Sequence, residues 1–331
     1  MSVDVQDRAS VLPGRTRTLA TRLGLRSLRD YGIVASFIAL FVFLSVSTDK
    51  FLTTTNLLNI LDQSAPIGIV AVGGTLVLIA GGLDLSVGAI YAFCGVIAAE
   101  AAGPLGVPGG LAAGVLCGLG LGALNGTLVT AGRINSFIGT LGSGIIFRGF
   151  ALAITAGSIV AVDQVSFATL GTGEVLGVKY SIVVWAVFAG LVGLLLWRSR
   201  WGRYIYATGA NPAAARLSGV RVGVVRASTF AISGLAAGLA GVIVASRVAT
   251  GQADVGTGFE LTAIAAIVVG GTSIQGGDGA VWRTIVGVLL LALIGNGLNL
   301  LNVSPTYQQI IQGAILLAAV GIDAWTRRGR A

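Results

Sequence analysis

The chain has 331 residues, of which 55% are hydrophobic and only 10% are charged, and its mean hydropathy is +0.91. Soluble globular domains carry about 25% charged residues, so this composition excludes that class and indicates a polytopic helical membrane protein. The formal net charge is +8, and the absence of histidine excludes histidine-based metal sites, general bases and proton relays. Cys94 and Cys117 both lie in apolar stretches, so we expect no disulfide framework, no metal and no cofactor.

The first 30 residues form a basic tail that contains six arginines. Four of these arginines share one stripe of a helical projection, beside leucines at positions 12, 19 and 23; they are Arg15, Arg22, Arg26 and Arg29. This pattern fits a helix that lies on anionic membrane lipid, and it fits a solvated tail equally well. Both interpretations stay open for residues 1–30.

Ten runs of residues are apolar and long enough to be candidate membrane helices, each of which needs about 20 mainly apolar residues. Apolar and polar residues do not alternate in these runs, so the sequence argues against a membrane barrel. The ten predicted spans are 31–48, 64–80, 86–101, 109–130, 136–156, 181–197, 227–246, 259–274, 281–301 and 306–324.

The basic residues orient the predicted bundle, because Lys and Arg accumulate in cytoplasmic loops. The basic segments 1–30 and 327–331 place both termini in the cytoplasm, which requires an even number of spans. With ten spans, seventeen of the 21 Lys and Arg residues lie inside, whereas Lys50, Lys179 and Arg247 lie outside and Arg148 lies within a span. Eight spans are the alternative if a short pair is re-entrant, and a cleaved signal peptide at the first span would break the even parity.

The sequence therefore predicts an all-α membrane protein, a bundle of about ten transmembrane helices with cytoplasmic N- and C-termini. Its expected location is the inner membrane, which it crosses many times. The domain boundaries that follow are a basic tail at 1–30, a membrane domain at 31–326 and a basic C-terminus at 327–331.

A polar interruption separates the second and third predicted spans. Gly82 ends one apolar run, and Asp84 with Ser86 begins the next. Glycine can end a helix and Asp84 can cap the next one, which satisfies amide groups that lipid would leave without partners. Capping is favoured over direct substrate contact for Asp84, and Gly276-Gly277-Asp278 repeats the pattern before the ninth span.

The segment 198–226 is a long, basic loop on the predicted cytoplasmic side. Within it, a complete short helix is predicted with Asn211 as the N-cap, Pro212 at the first helical position and Gly219 at C′. A helix this short needs to dock against something in order to persist. The predicted helix comprises Asn211, Pro212, Ala213, Ala214, Ala215, Arg216, Leu217, Ser218 and Gly219.

Several amides lie in or near the predicted spans. Asn296 and Asn299 are three residues apart, and Gln308 and Gln312 are four apart, so each pair shares a helix face. Buried polar side chains face the protein interior or a water path, and uncharged amides suit the passage of a neutral, hydroxyl-rich solute. For any single amide, Asn125 included, hydrogen bonding between helices is favoured over contact with a solute.

Two further features concern the helix interfaces. The spacing of Gly110, Gly114, Gly118 and Gly122, and of Gly234 and Gly238, is typical of closely packed membrane helices. Arg148 is expected either to pair with a buried carboxylate such as Asp84 or to extend toward the membrane surface.

Three blocks resemble the permease subunit of bacterial ABC importers for monosaccharides, the ribose, xylose and arabinose group. They are GGLDLSVGAIYAF at 81–93, GRYIYATGANPAAARLSGV at 202–220, and the stretch from VVGGTSIQGGDG to GAILLAAVGID at 268–323. The resemblance covers residues 31–326 and leaves out the basic N-terminal tail.

This resemblance implies a two-fold homodimer in the membrane in which each permease docks a cytoplasmic ATPase. The docking helix is expected at Asn211–Gly219, with Arg216 and Leu217 as contacts. An external sugar-binding protein would deliver the substrate. Independently of the resemblance, neither lysine lies in the Gly-x-x-x-x-Gly-Lys-Ser/Thr motif of a nucleotide-binding loop, so the chain is not expected to be an enzyme and ATP hydrolysis is expected on another subunit.

The sequence thus predicts a permease that translocates a pentose or hexose by alternating access. The candidate residues for its pathway or its helix breaks are Gly82, Asp84, Ser86, Asn125, Asn296 and Asn299. An ion-coupled secondary transporter is the alternative from another class, and it would need a carboxylate at mid-membrane depth. An ABC permease for nucleosides or branched-chain amino acids is a neighbouring alternative, whereas an integral membrane enzyme lacks a visible catalytic constellation.

Overall fold

A computed structural model of the protein describes residues 32–304, 306–308, 310, 311, 313, 314 and 317. The described chain is helical apart from short turns, one 3-10 helix at Val165–Ala168 and four two-residue strands. The helices are α1 Gly32–Ser47, α2 Thr54–Ile79, α3 Val87–Thr130, α4 Ser136–Thr155, α5 Thr169–Thr172, α6 Tyr180–Arg198, α7 Arg200–Ala210, α8 Pro212–Leu217, α9 Val222–Val248, α10 Phe259–Val269 and α11 Val281–Leu300.

The four strands form two small antiparallel ladders. Strand β1 (Val160–Ala161) pairs with β4 (Thr250–Gly251), and β2 (Glu174–Val175) pairs with β3 (Val178–Lys179). Six helices of the described chain, namely α2, α3, α4, α6, α9 and α11, are long and apolar enough to cross a membrane. The prediction of an all-α membrane protein is therefore confirmed.

The 44-residue helix α3 folds back on itself at Gly106, whose backbone has φ +70° and ψ 164°. A Cβ atom added to Gly110 would lie 2.6 Å from the carbonyl oxygen of Ala98, and one added to Gly114 would lie 2.7 Å from that of Cys94. From the first contact to the second, the position in the second arm advances from 110 to 114, while its partner in the first arm goes back from 98 to 94. The arms 87–105 and 107–130 are therefore antiparallel. The arms correspond to the two spans that the sequence predicts at 86–101 and 109–130.

Glycines bring the second arm of α3 against α9. A Cβ atom on Gly118 would lie 2.5 Å from the carbonyl oxygen of Gly234 and 2.7 Å from the Cα of Gly238. A Cβ atom on Gly122 would likewise lie 2.8 Å from the Cα of Gly234. The glycine spacing therefore serves close helix packing, as predicted, and no larger side chain fits this interface without displacing a backbone.

The ends of α2, α7 and the α10–α11 link meet at one end of the bundle, which also carries α8 and which we call the α8 end. There the Arg226 Nε donates to the carbonyl of Ala80 (3.1 Å), and the amide of Gly277 donates to the carbonyl of Ile79 (2.8 Å). At the opposite end, the Arg247 guanidinium pairs with Asp62 at 2.7 Å, and Asp62 also accepts the hydroxyl of Ser181. These contacts tie α2 to α9 and α6.

The structure corrects two of the predicted spans. Helix α10 has only 11 residues, about 16 Å at 1.5 Å per residue, which is half of what a membrane crossing needs. The residues before it, 250–258, enter the bundle without helical structure, because Gly256 and Gly258 adopt φ +73° and +78°. Helix α2 begins ten residues earlier than predicted, where the Thr53 hydroxyl accepts the amide of Asn56 at 3.3 Å.

Several predicted segments lie wholly or partly outside the described residues. These are the basic tail 1–30, the C-terminus 327–331 and much of the span 306–324. The residues described between 306 and 317 are helical.

Candidate functional site

Helix α8 has the local structure that the sequence predicts. The Asn211 side chain accepts the amides of Ala213 (3.1 Å) and Ala214 (3.0 Å), and Pro212 occupies the first turn. At the other end, Ser218 is the C-cap and Gly219 follows it with φ +81°, donating its amide to Arg216 at 3.0 Å. Both ends of this six-residue helix are therefore satisfied within the segment itself.

Helix α8 presents one face to the protein and the other to the exterior. Ala215 is buried, whereas Ala214 and Arg216 are exposed and Leu217 is 91% exposed. An isolated exposed leucine is ordinary on a protein surface, but this one lies on a short helix at the tip of a polar loop. The exposed face offers small and apolar groups that a partner surface can approach closely.

Helix α7 joins α8 to the bundle through a contact without side chains. A Cβ atom at Gly209 would overlap the carbonyl oxygen of Ile79 and lie 2.6 Å from the amide nitrogen of Gly277. Next to it, a Cβ atom on Gly276 would lie 2.8 Å from the Cα of Gly81. We call these residues, Ile79, Gly81, Gly209, Gly276 and Gly277, the glycine contact.

A hydrogen bond from α7 supports the glycine contact. The Tyr206 hydroxyl donates to the carbonyl of Gly279 at 2.7 Å, and burial raises the pKa of this hydroxyl, so it remains a donor at neutral pH. At the other side of α7, the indole of Trp201 donates to the Ser228 hydroxyl of α9 at 2.9 Å. Helix α7 is thus bonded both to α9 and to the link 270–280 between α10 and α11.

Asp84 lies at the break between α2 and α3 and is only 4% exposed. Its carboxylate accepts the amide (3.1 Å) and hydroxyl (2.5 Å) of Ser86 and the hydroxyl of Ser233 (2.8 Å). The Asn125 side chain donates to the Ser86 hydroxyl at 2.7 Å. We call these four residues the Asp84 cluster.

Asp84 is not itself the N-cap of α3, because that position belongs to Ser86, two residues further on, whose amide Asp84 accepts. Gly81 and Gly82 end α2, with amides that donate to Leu78 (2.9 Å) and Val77 (2.9 Å). Within the described part of the chain, Asp84 forms no ion pair, and its carboxyl group is held by hydrogen-bond donors alone.

Among the described residues, Arg148 does not pair with Asp84 or another carboxylate, which was one of its two expected alternatives. Its guanidinium donates to the carbonyl oxygens of Ala253 (3.0 Å) and Val255 (3.3 Å), in the non-helical segment before α10. These carbonyls lack helical partners, so a charged donor inside the bundle satisfies backbone that lipid would leave bare. Arg148 thereby holds the broken crossing formed by residues 250–258 and α10.

A cavity of about 690 Å³ lies between α2, α10, α11 and the residues after 306. None of the described residues that line it is charged, and its polar groups are mainly amides. These polar residues are Asn56, Asn59, Gln63, Ser64, Thr262, Asn296, Asn299 and Gln308. We call this space the amide cavity.

The residues that line the amide cavity lie in the half of the bundle opposite α8. Asn56 lies two residues inside the start of α2, and Ile67 lies 11 residues further along the same helix, which is about 16 Å. That depth is about half of a 30 Å hydrocarbon core. Ile67, Ala266 and Val288 line its deep part, below which the hydroxyls of Thr75 and Thr284 bond at 2.7 Å and join α2 to α11.

The amides of the cavity differ in their hydrogen bonding. Asn56 and Asn296 exchange two hydrogen bonds (2.8 and 3.2 Å), and Gln308 donates to Asn299 at 2.8 Å. Asn59 and Gln63 make no side-chain hydrogen bond within the described chain, so they can bind a solute without breaking a protein contact. Neither residue was predicted from the sequence, although their spacing of three to four residues with Asn56 places all three on one face of α2.

The six pathway or break candidates divide between the two sites. Gly82, Asp84, Ser86 and Asn125 belong to the break and its buried cluster, whereas Asn296 and Asn299 line the amide cavity. Gln312 lies outside the described residues. No group of three or more Cys, Asp or Glu side chains suited to a metal ion occurs in the part of the chain that the structure describes.

Comparisons with known proteins agree with this architecture. The sequence model of the family described as Branched-chain amino acid transport system / permease component matches residues 56–320. The ribose import permease protein RbsC of Escherichia coli strain K12 is 40% identical over 296 residues, which cover 87% of this chain and 92% of the relative.

Two further relatives are similar over most of their length. The L-arabinose ABC transporter permease protein AraH of Azospirillum brasilense is 38% identical and covers 97% of this chain and 94% of its own length. The D-allose transport system permease protein AlsC of Escherichia coli strain K12 is 39% identical, covering 88% and 89%. No solved structure matches the chain. The family model matches residues 56–320, and these relatives are similar to the chain over most of their length. The chain therefore belongs to the family of Branched-chain amino acid transport system permease components.

Proposed function

We propose that this protein is the membrane-spanning permease of an ATP-driven importer that carries a monosaccharide across the inner membrane. The single observation that carries the proposal is the amide cavity, which combines uncharged hydrogen-bonding groups with a size typical of small-molecule sites. Relatives at 38–40% identity are named as permeases for ribose, arabinose and allose. A sugar is neutral and rich in hydroxyls, which matches this lining.

We further propose ten membrane crossings with both termini and the α8 end in the cytoplasm. The fold supports ten, because α3 has two antiparallel arms, the broken segment 250–269 reaches across the bundle, and helical residues continue after 306. The basic residues support the orientation, since the arginines of the segment 198–226 lie at the α8 end, whereas Arg247 pairs with Asp62 at the opposite end.

In this orientation, the amide cavity is the outer vestibule of the sugar pathway. An external binding protein would release the sugar into it, and the free amides of Asn59 and Gln63 would accept and donate hydrogen bonds to sugar hydroxyls. Asp84 lies outside the amide cavity and is nearly fully buried, which favours ATP-driven transport over coupling to an ion that binds a carboxylate in the pathway.

Helix α8 is the proposed docking site of a separate ATPase subunit. The chain has no nucleotide-binding loop, and its exposed α8 face, with Ala214, Arg216 and Leu217, is preformed by its own caps. Two copies of the permease would each dock one ATPase, in a two-fold homodimer.

The glycine contact is the proposed route from α8 to the sugar pathway. Helix α7 touches the end of α2 and the link 270–280, and this link connects α10 and α11, which form two walls of the amide cavity. A displacement of α8 by the ATPase would therefore move the α10–α11 pair relative to α2 and open the deep end of the cavity. Packed backbones transmit such a displacement because they cannot be compressed.

The first prediction tests the amide cavity. Gln63→Leu should lower ATP-dependent uptake of the transported sugar about threefold to tenfold, because one hydrogen bond is worth about 0.5–1.5 kcal/mol. Uptake of labelled ribose, arabinose and allose into proteoliposomes with the ATPase and binding protein measures the effect. Gln164→Leu, an exposed glutamine outside the cavity, is the matched control and should transport normally. Equal uptake by the two variants would contradict the assignment.

The second prediction tests α8. Ala214→Asp should abolish co-purification of the ATPase and sugar uptake, because it places a charge and added bulk on the docking face. Helix α8 should persist in this variant, since an acidic residue in the first turn of a helix is favourable. Ala161→Asp, the same change at an exposed strand position toward the opposite end, should retain the ATPase. Retention of the ATPase by Ala214→Asp would show that α8 is not its docking site.

The third prediction tests the glycine contact. Gly209→Ala should reduce sugar uptake at least tenfold while the ATPase remains bound, because the added methyl group would overlap the Ile79 carbonyl and force α7 away from the link. Gly223→Ala, near the same end, meets only the Thr130 Cβ at 3.9 Å and is the control. The measured quantity is sugar uptake divided by the amount of bound ATPase. A value for Gly209→Ala equal to that of Gly223→Ala would show that the glycine contact does not connect α8 to the sugar pathway.

A further inference from the structure

A second large concavity lies on the outside of the bundle, between α6 and α11, and it has a different chemistry from the amide cavity. Its volume is about 900 Å³, and its walls are almost entirely apolar. It extends along α6 from Ile182 to Trp197, which is about 22 Å of helix. We call it the lateral groove.

The lateral groove exists because α6 carries small residues where it faces α11. A Cβ atom on Gly190 would have nothing within 4 Å, and one on Gly193 would find Val281 only at 3.8 Å. Ala186 and Ala189 continue this shallow strip. Because α6 and α11 are both long and apolar enough to cross a membrane, the groove between them lies at the depth of the bilayer core. An apolar channel at that depth is suited to acyl chains.

The α8 end of the groove has a distinct composition. Arg203 of α7 is the one charged residue among the described residues that line the groove, and it lies on the exposed surface. Trp197 and Trp282 flank the same end and are 76% and 49% exposed. The Arg198 guanidinium lies 5.2 Å from the centre of the Trp197 ring. Exposed tryptophans beside arginines are typical of the level at which lipid headgroups lie.

We propose that the lateral groove binds one phospholipid with an anionic headgroup, from the leaflet at the α8 end. An acyl chain would lie along Gly190 and Gly193, and the phosphate would accept hydrogen bonds from Arg203. The charge complementarity supports this occupant, because a guanidinium binds phosphate through paired donors while the remainder of the groove offers almost only apolar contact. The groove is long enough for a chain that reaches from the headgroup to the middle of a 30 Å core.

This inference goes beyond the proposed transport function and is tested without a transport assay. The full-length permease is reconstituted in nanodiscs with equal amounts of phosphatidylglycerol and phosphatidylcholine, extracted into detergent and examined by native mass spectrometry. The wild type should retain one phosphatidylglycerol per chain, in preference to phosphatidylcholine.

Two variants and two matched controls decide the outcome. Gly190→Leu fills the groove and should lower retention of the lipid at least tenfold, whereas Gly149→Leu, at an equally open position on α4, should retain it. Arg203→Gln should abolish the preference for phosphatidylglycerol, whereas Arg200→Gln, outside the groove, should keep it. Equal retention by Gly190→Leu and Gly149→Leu would overturn the proposal, as would an unchanged preference in Arg203→Gln.

Discussion

The glycine contact at the α8 end is the constraint on which the rest of the architecture depends. Gly209 of α7 rests on the Ile79 carbonyl and on the Gly277 amide, and Gly276 rests on Gly81. Backbones approach this closely only where no Cβ atoms intervene. A side chain at Gly209 would separate α7 from α2 and from the link, and it would separate the proposed docking surface on α8 from the helices that line the amide cavity.

The polar groups inside the bundle fall into two classes with different tasks. The Asp84 cluster and Arg148 satisfy the backbone where crossings are broken, and both lie among hydrogen-bond partners inside the protein. The amide cavity has no charged lining among the described residues, and Asn59 and Gln63 remain available to a solute. In the proposed function, a neutral cavity avoids the desolvation of a charge each time a sugar passes. The groups at the breaks therefore stabilise the scaffold, and the amides are the proposed contacts of the sugar.

The sequence predicted features whose causes are local. Helix α8 followed from residues within a nine-residue stretch, since Asn211 caps its start, and Ser218 and the following Gly219 close its end with bonds to near neighbours. The fold-back of α3 corresponds to two predicted spans, because each arm is apolar on its own. The close approach of Gly118 to Gly234 was also indicated by glycine spacing.

Features that depend on distant residues were not predictable in the same way. Ser233, which completes the Asp84 cluster, is 149 residues from Asp84, and no local pattern connects them. The carbonyl partners of Arg148 lie 105 and 107 residues away, and they became available only because the crossing before α10 is not helical. Residues 259–274 are apolar, so their composition predicted a complete span, whereas the helix ends at Val269. Hydropathy cannot show that the glycine-rich stretch before Phe259 forms the other part of a broken crossing.

We expect the ATPase to open the deep end of the amide cavity by moving α10 and α11 away from α2. Ile67→Cys, at that deep end, reports on this movement after Cys94 and Cys117 are replaced by alanine. In proteoliposomes, a charged thiol reagent should label this cysteine only from the side opposite α8 without nucleotide, and from the α8 side during ATP turnover. Labelling from the same side in both conditions would contradict the account.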